Sequence, residues 1–378
     1  MLTKYRTNSA NMSSIGSPMD EEIYVAYLGP EATYTHQAAL KTFAAPWFRL
    51  YPEAKIEDIF AAVASGKASK GIVPFENSTN GAVNLTLDCF ADLSGKYADL
   101  VVINEAYVTV KHCISGFPAS TDVTSLPAKL TSVSLGEEGT TGTGGITRPG
   151  HTGARSTATA TPYHDLSHIK KLYSHPQAWG QCNTFLDTHL KDIPRENTGS
   201  TSGAAEEVAI DRDITHAAIS SKLAATTHGL AVLAENIHDA DDNTTRFLVI
   251  RRLSEYHNIH QRTHIARNVE REQYKTLITF TVEHTKPGAL SDCLDIFKKH
   301  EINLTSLNTR PSGEGGWRYI FFAEFRGYKR TDDHRDPETG ELARGKVNEA
   351  LDDLSKVARS WRWMGSWEDM EFQAGQQF

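Results

Sequence analysis

The segment NTTRFLVI, residues 243–250, holds the most specific pattern in this chain. Its apolar end predicts a buried strand, and this strand places Thr245 and Arg246 at its entrance, where side chains can face a cleft. Arginine is always charged and offers a planar set of donors that fits a carboxylate, and a threonine hydroxyl can donate one directed hydrogen bond. Such residues beside a strand are more often plain surface residues, so their meaning depends on other parts of the chain.

Three other blocks accompany this segment. YLGPEATYTHQAA spans residues 27–39, VPFENSTNGAVNLTLD spans residues 73–88 and SHPQAWGQC spans residues 174–182. In these residues and their order the chain resembles the prephenate dehydratase family, whose motifs read GPxGTFSxxAA, PIENSxxGxV, SHPQxxxQC and NxTRF. The resemblance extends over most of the chain from about residue 24. It implies conversion of prephenate to phenylpyruvate, carbon dioxide and water.

The first block departs from the family motif at three positions. Ala32 replaces the family's glycine, Tyr34 its phenylalanine and Thr35 its serine. Glycine adopts positive φ angles without strain, whereas alanine does not. The alanine therefore matters if the turn requires a positive φ angle.

The resemblance implies catalytic roles for Thr245 and Glu76. The Thr245 hydroxyl can donate to the leaving hydroxyl group, but it is too weak an acid for full proton transfer alone, so a relayed proton or a strong hydrogen bond in the transition state is expected. Glu76 can supply the proton if burial raises its pKa, or it can orient other donors. Arg246 can hold a substrate carboxylate or pair with an acid such as Glu76.

The other residues implied to contact the substrate are mostly neutral donors. Phe247 can form an apolar wall that eases loss of the carboxylate, or it can simply pack in the core. His175 precedes a predicted helix, whose N-terminus favours anions, and a purely structural role in that turn is equally consistent with the sequence. The complete set of predicted substrate contacts is Thr33, Asn77, Ser174, His175, Gln177, Gln181, Arg246 and Phe247.

The composition excludes several classes of protein. Of the 378 residues, 39% are hydrophobic and 23% charged, an ordinary balance for folded domains. The net charge of −8 argues against a nucleic-acid-binding surface, which requires clustered Lys and Arg. No apolar run reaches the ~18 residues of a membrane-spanning helix, and the cysteines lack the spacing of a zinc site. We expect a cytoplasmic protein with no metal ion and no cofactor, since aromatisation of the ring drives the implied reaction.

Strand-like and helix-like runs alternate between residues 23 and 250, which predicts an α/β architecture. Residues 56–64 have helical spacing, and residues 177–190 predict one further helix. A strand over residues 71–75 is expected to be stopped by its proline. The family resemblance implies a two-lobed, periplasmic-binding-protein-like catalytic domain. Its predicted bounds are residues 22–250, with lobe 1 over residues 22–103 plus 243–250 and lobe 2 over residues 104–242.

Three segments are expected to lie outside the folded domains. Residues 1–21 are Ser- and Asn-rich and predict a disordered tail. Residues 118–165 are rich in Thr, Ser and Gly and contain too little apolar surface to offset the entropy lost on ordering, so we expect a disordered insertion. Residues 251–273 are charged and His-rich, which predicts a solvated linker.

After this linker the hydrophobic pattern changes to βαββαβ over residues 274–372, an order typical of ferredoxin-like domains. With KPGAL at residues 286–290 the region resembles an ACT domain, a module that binds amino acids between two copies. The family's ACT-containing members bind phenylalanine, which implies an allosteric effector and a homodimer or homotetramer. Asn308 and Thr309 replace the Glu and Ser of the family's second effector motif. The implied effector contacts are Gly288, Ala289, Leu290, Asn308, Thr309, Arg310 and Pro311.

Other functions remain open at this level. Arogenate dehydratase acts on the amino-acid analogue of prephenate, and the sequence offers no residue that separates the two. A non-catalytic amino-acid-binding sensor also fits a two-lobed fold with an ACT domain, but it would not need Thr245, Glu76 and Gln181 together. A serine hydrolase is disfavoured because the chain has no GxSxG motif.

Overall fold

The computed structural model describes residues 22–119, 160–254, 273–330 and 345–370. The tail and most of the insertion and linker expected from the sequence lie outside these ranges. The strands are β1 (Ile23–Leu28), β2 (Phe48–Glu53), β3 (Lys70–Asn77), β4 (Gly81–Ala82), β5 (Leu100–Thr109), β6 (Cys113–Gly116), β7 (Lys171–Ser174), β8 (Arg195–Asn197), β9 (His216–Ser220), β10 (Ala231–Ala234), β11 (Thr244–Arg252), β12 (Tyr274–Thr281), β13 (Leu304–Pro311), β14 (Tyr319–Arg326) and β15 (Ser360–Glu368). The helices are α1 (Tyr34–Thr42), α2 (Ile56–Ser65), α3 (Asn84–Ala91), α4 (Pro176–Gly180), α5 (Asn183–His189), α6 (Thr201–Asp211), α7 (Lys222–Thr227), α8 (Ala289–Lys299) and α9 (Lys346–Val357).

The described strands form two sheets, which confirms the predicted two-lobed α/β arrangement. The larger sheet has the order β13-β14-β12-β15-β5-β11-β3-β1-β2, with β4 beside β3, and the smaller has the order β10-β6-β9-β7-β8. β1 is parallel to β2 and β3, while β11 is antiparallel to both β3 and β5. The chain passes from β5 to β6 through residues 110–112 and returns from β10 to β11 through residues 235–243. These crossings lie between the lobes.

The local pattern of α2 shows why the sequence folds as predicted there. Its buried residues include Ile56, Ile59, Phe60 and Val63, the i, i+3, i+4, i+7 positions of one helical face. The helix ends at Gly66, whose φ angle of 81° is left-handed, a conformation that glycine adopts without a Cβ clash.

The strand expected to stop at Pro74 instead continues to Asn77, so that part of the prediction was wrong. The pairing with β11 shifts between Arg246 and Phe247, because Arg246 lies opposite Glu76 and Phe247 opposite Pro74. This irregularity, a β-bulge, is a position where a strand tolerates a proline that cannot donate a ladder hydrogen bond. The strand thereby reaches the two polar residues at its end.

The C-terminal strands have the order β13-β14-β12-β15 and are connected as βαββαβ, the predicted ferredoxin-like topology. One face of this sheet packs under α8 and α9 around Phe297, Phe325 and Leu354. The fourth strand continues the sheet of lobe 1, since β15 pairs with β5 at Gly365 and Val102.

The other face of the C-terminal sheet shares an apolar core with lobe 1. Leu277, Phe322 and Trp367 belong to the same buried cluster as Phe60 and Leu248. Fully burying a side chain of this size contributes roughly 1.5–3 kcal/mol, so the contact stabilises both halves. No helix within the described ranges is long and apolar enough to cross a membrane.

Candidate active site

The entrance of β11 is held by Asn77, which lies opposite Thr245 in the pairing of β3 with β11. Asn77 Nδ2 donates to Thr245 Oγ1 at 3.0 Å and to Asn243 Oδ1 at 2.8 Å. Its Oδ1 accepts hydrogen bonds from the backbone N–H groups of Thr79 and Asn80, which orients the amide. Because Thr245 Oγ1 is an acceptor in this contact, its own proton remains available for a further acceptor.

Thr245 and Glu76, the two predicted catalytic residues, point to opposite faces of the sheet. Successive strand residues alternate between faces, and Thr245 shares its face with Phe247, which is 1% exposed and packs against α1 residues. Arg246 points to the other face, and Glu76 lies opposite it in the register. The structure therefore brings Thr245 and Asn77 together and separates Glu76 from them. Phe247 is a core residue.

Arg246 forms ion pairs with two acids that the sequence did not indicate. Its Nε and Nη2 donate to Glu105 Oε2 at 2.9 and 2.6 Å, and its Nη1 and Nη2 donate to Glu324 at 3.2 and 2.6 Å. Glu76 Oε2 lies 3.8 Å from Arg246 Nη1, and the Glu76 side chain is 41% exposed. Burial by itself would lower the pKa of Arg246, but Glu324 and Glu105 raise it, so the guanidinium stays charged.

Thr33 is committed to the turn before α1. Its Oγ1 donates to the carbonyl oxygen of Leu28 at 2.9 Å and accepts from the backbone N–H of His36 at 3.2 Å, so it acts as the N-cap of the helix. Ala32 has a φ angle of 61°, the left-handed conformation in which glycine would be unstrained. Its N–H donates to His36 Nδ1 at 2.9 Å, a local contact that holds the turn.

In lobe 2 the SHPQ residues form the turn between β7 and α4. Ser174 is fully buried and donates to the carbonyl oxygen of Ile219 at 3.0 Å, so its hydroxyl proton is already used. His175 is the N-cap of α4, and its Nδ1 accepts from the backbone N–H of Gln177 at 3.3 Å. Burial lowers the pKa of His175, which favours the neutral ring. Gln177 is exposed.

The single helix expected over residues 177–190 is two helices, and the break positions Gln181. Asp239 accepts hydrogen bonds from the backbone N–H groups of Asn183 and Thr184, each at 3.0 Å, and so caps the start of α5. The backbone N–H of Asp239 in turn donates to the carbonyl oxygen of Gln181 at 2.7 Å. The capping carboxylate comes from a distant part of the chain, so the periodicity alone could not predict this break.

His112, in the crossing between β5 and β6, connects Gln181 with lobe 1. Its Nε2 lies 2.7 Å from Gln181 Oε1, and its Nδ1 lies 3.2 Å from the hydroxyl of Tyr34 in α1. Burial lowers the pKa of His112 to about 4, an effect that the hydrogen bond to Gln181 opposes and His238 reinforces. A neutral ring that donates from Nε2 to the amide oxygen leaves the Gln181 NH₂ group free to face a ligand.

The sequence assigned no role to His112, Glu105 or Glu324, and it included Asn243 in the NTTRF segment without assigning it a contact. The backbone carbonyl of Asn243 accepts from Val110 N–H at 2.7 Å, which fixes the entrance of β11 to the crossing that carries His112. The only sequence signal for this contact was the position of Asn243 immediately before TTRF. No local pattern indicated Glu105 or Glu324, because their shared partner Arg246 is 141 residues from the first and 78 residues from the second along the chain.

The predicted effector residues fall into two groups. Gly288, with a φ angle of 83°, is the N-cap of α8 and precedes Ala289 and Leu290. Asn308–Pro311 lie on β13, where Asn308 Nδ2 donates to Ser306 Oγ at 3.0 Å. Arg310 donates to both carboxylate oxygens of Asp88 in α3 at 2.6 and 2.9 Å, a bidentate ion pair that connects β13 with lobe 1.

Comparison with known proteins shows which family the chain belongs to. Residues 25–133 and 156–255 match the family model described as prephenate dehydratase, and the gap between them falls in the expected insertion. The chain is 31% identical over 352 residues to the bifunctional chorismate mutase/prephenate dehydratase of Aquifex aeolicus, across 92% of this chain and 74% of the relative. It is 30% identical over 368 residues to a probable prephenate dehydratase of Saccharomyces cerevisiae, across 89% of this chain and 94% of the relative.

A solved structure supports the fold over both halves. The prephenate dehydratase from Arthrobacter aurescens, crystallised in complex with L-Phe, superposes with a TM-score of 0.65 and 24% identity, across 94% of this chain and 97% of that chain. The chain therefore belongs to the prephenate dehydratase family. Members of this family are hydro-lyases, and this protein is an enzyme of that class.

Proposed function

We propose that the protein converts prephenate to phenylpyruvate, carbon dioxide and water, with Thr245 as the residue that assists departure of the ring hydroxyl. The hydrogen bond from Asn77 to Thr245 Oγ1 at 3.0 Å carries this proposal. It holds the threonine oxygen as an acceptor and leaves its proton for the substrate. Loss of both groups makes the ring aromatic, so the enzyme has to position the dianion and stabilise the departing hydroxide.

A threonine hydroxyl is too weak an acid to protonate the leaving group completely. A preoriented donor is nevertheless effective when charge develops only in the transition state, because it needs no reorganisation at that moment. We propose that Thr245 acts in this way. Asn77 then has a positioning role, since it fixes the rotation of the Thr245 hydroxyl.

The geometry favours a structural role for Arg246 and an indirect role for Glu76. The Arg246 guanidinium already donates hydrogen bonds to both Glu105 and Glu324, so its positive charge is compensated. Glu76 lies on the same sheet face, 3.8 Å from this guanidinium, and away from the Thr245 hydroxyl. We propose that these residues fix the entrance of β11, and that neutral donors such as Gln177 and Gln181 contact the substrate.

The decisive experiment is an ultraviolet assay of the purified protein with prephenate, which follows the appearance of phenylpyruvate. Parallel reactions with arogenate test the other dehydratase activity, since arogenate would yield phenylalanine. Turnover of arogenate in strong preference to prephenate would reassign the substrate. No turnover of either compound, together with binding of an amino acid, would support the sensor in place of the enzyme.

We further propose that residues 274–372 form an ACT domain that binds phenylalanine between two copies of the chain. The βαββαβ connectivity and the left-handed Gly288 before α8 support this assignment, and the Arthrobacter aurescens relative was crystallised with L-Phe. Titration of phenylalanine into the assay, with sedimentation velocity in parallel, tests inhibition and assembly together. No response to millimolar phenylalanine would refute the regulatory role.

A further inference from the structure

Glu324, near the C-terminal end of β14 in the C-terminal half, is 1% exposed. Its carboxylate accepts hydrogen bonds from Arg246 Nη1 at 3.2 Å and Nη2 at 2.6 Å. Thr305 Oγ1 of β13 donates to its Oε1 at 2.8 Å. Glu324 thus connects β13 of the C-terminal half with the residue that follows Thr245.

The charges around Glu324 form one buried cluster. Glu105 Oε1 accepts from Lys275 Nζ at 3.2 Å while its Oε2 accepts from Arg246. Lys275 Nζ also lies 3.1 Å from Asp369 Oδ1. A buried charge is tolerated only while it is paired, and loss of one partner leaves the other uncompensated. The cluster therefore holds Arg246 from two sides, through Glu105 of lobe 1 and Glu324 of the C-terminal half.

Arg246 has an alternative partner close by. Glu76 Oε2 is 3.8 Å from its Nη1, just beyond hydrogen-bond distance. When the charge of Glu324 is removed, Glu76 becomes the nearest acid that can replace it. A guanidinium drawn toward Glu76 would shift the first residue pairs of β3 and β11, which include Asn77 and Thr245.

We propose that Glu324 is a positioning residue for Thr245, which it controls through Arg246. Arg246 and Thr245 are consecutive in β11 and point to opposite faces, so the anchored guanidinium fixes the orientation of the strand entrance and, with it, the Thr245 hydroxyl. Misplacement of a reacting group by about 1 Å is enough to lower a rate by about a hundredfold. This inference rests on the proposed role of Thr245.

The test uses the full-length chain and three substitutions. We expect Glu324→Gln, which keeps the shape but removes the charge, to lower kcat for prephenate about tenfold or more with KM changed less than about threefold. Glu324→Asp should recover part of the loss. Thr305→Val, which removes only the hydroxyl that donates to Glu324, should give a smaller decrease of about two- to fivefold. Thr305→Val still tests the proposal if Glu324→Gln does not fold.

Thr281→Val is the matched control. Thr281 makes a comparable but exposed hydroxyl contact at the end of β12 in the same half, 2.7 Å from Ser360 Oγ, and its loss should leave kcat unchanged. Circular dichroism and thermal unfolding of each variant report whether it is folded. A decrease in kcat that is equal in Thr305→Val and Thr281→Val would overturn the inference, because it would reflect general loosening.

The double variant Glu324→Gln/Thr245→Ala separates positioning from a structural effect. If Glu324 acts through Thr245, the second substitution should add less than about twofold to the loss in Thr245→Ala. A full additional tenfold loss would contradict the proposal, as would an unchanged kcat in folded Glu324→Gln. An inactive wild-type protein would refute the proposed function itself, which is a different result from an active wild type with an unaffected variant.

Discussion

Asn77 Nδ2, in the last residue of β3, lies 3.0 Å from Oγ1 of Thr245, the second residue of β11. This contact connects the ENS block with the TTRF block, which are far apart in the sequence. It also determines which way the threonine proton can point, because the amide occupies one lone pair of the oxygen. Under the proposed role of Thr245, the reactivity of the site depends on an amide with no proton-transfer chemistry of its own.

Removal of the Thr245 hydroxyl is the first test of this arrangement. We expect Thr245→Ala to lower kcat about a hundredfold or more, the usual effect of deleting one preoriented donor. Thr245→Ser, which keeps the hydroxyl, should retain much more activity. Steady-state kinetics with prephenate measure both, and equal kcat values for Thr245→Ala and the wild type would exclude the role.

His112 provides a test by pH. Its pKa is lowered to about 4 by burial, while in the unfolded chain it returns to about 6.5. The unfolded state therefore binds a proton between pH ~6.5 and ~4 that the folded state does not, so stability falls as the pH falls through this window. His112→Gln should lessen that decrease by up to about 3 kcal/mol, as measured by urea unfolding at pH 7 and pH 4.5.

The same variant should impair catalysis at pH 7, because Gln181 loses its 2.7 Å partner. Tyr34→Phe is the matched substitution, since it removes only one hydroxyl, which lies 3.2 Å from His112 Nδ1 and donates to the carbonyl oxygen of Lys111 at 2.8 Å. We expect it to cost less than about threefold in kcat/KM, whereas His112→Gln should cost about tenfold. A pH dependence of unfolding identical in His112→Gln and the wild type would show that His112 titrates normally.

Deletion of residues 121–158 should leave turnover within a few-fold of the wild type. The segment is poor in apolar residues, and the chain is anchored on both sides of it, by His168 Nε2 to the carbonyl oxygen of Phe117 at 3.0 Å and by Tyr163 N–H to that of Leu233 at 2.8 Å. The shortened protein joined by a Gly/Ser linker can be compared in the prephenate assay. Loss of folding would mean that the segment packs against the domain.

Gly288 offers a test of effector binding. Its φ angle of 83° strains any residue with a Cβ, although that Cβ would meet nothing within 4 Å. We expect Gly288→Ala to shift the midpoint of phenylalanine inhibition upward about tenfold. Gly229→Ala is the control, because Gly229 has a φ angle of 71° and equally open surroundings in lobe 2. An equal shift in both variants would assign the effect to general strain.

The sequence predicted those parts of the fold that depend on local patterns. The helical face of α2 follows from residues three and four apart, and the βαββαβ order follows from successive short elements. The TTRF and ENS blocks pointed to Thr245 and Asn77, which the structure brings into contact. These features could be predicted because each depends on a pattern of residues that are close together in the sequence.

The remaining features depend on partners that are distant in the chain. The break before α5 requires Asp239, and the compensation of Arg246 requires Glu105 and Glu324. A β-bulge at Phe75, next to Pro74, carried β3 past the point where a proline usually ends a strand. Such contacts form only when the sheets assemble, so no local sequence pattern predicts them.

Gly365 has a consequence for how this enzyme can be re-engineered. Its φ angle is 138°, and a Cβ at this position would lie 2.0 Å from the carbonyl oxygen of Val102, so only glycine allows β15 to join β5. A chimera that carries the C-terminal half of a relative would need this glycine and an acid at position 324 that pairs with Arg246. We therefore expect the two halves to be exchangeable only if the residues that join them are kept. A library of swapped domains should hold Gly365 and the acid at position 324 fixed.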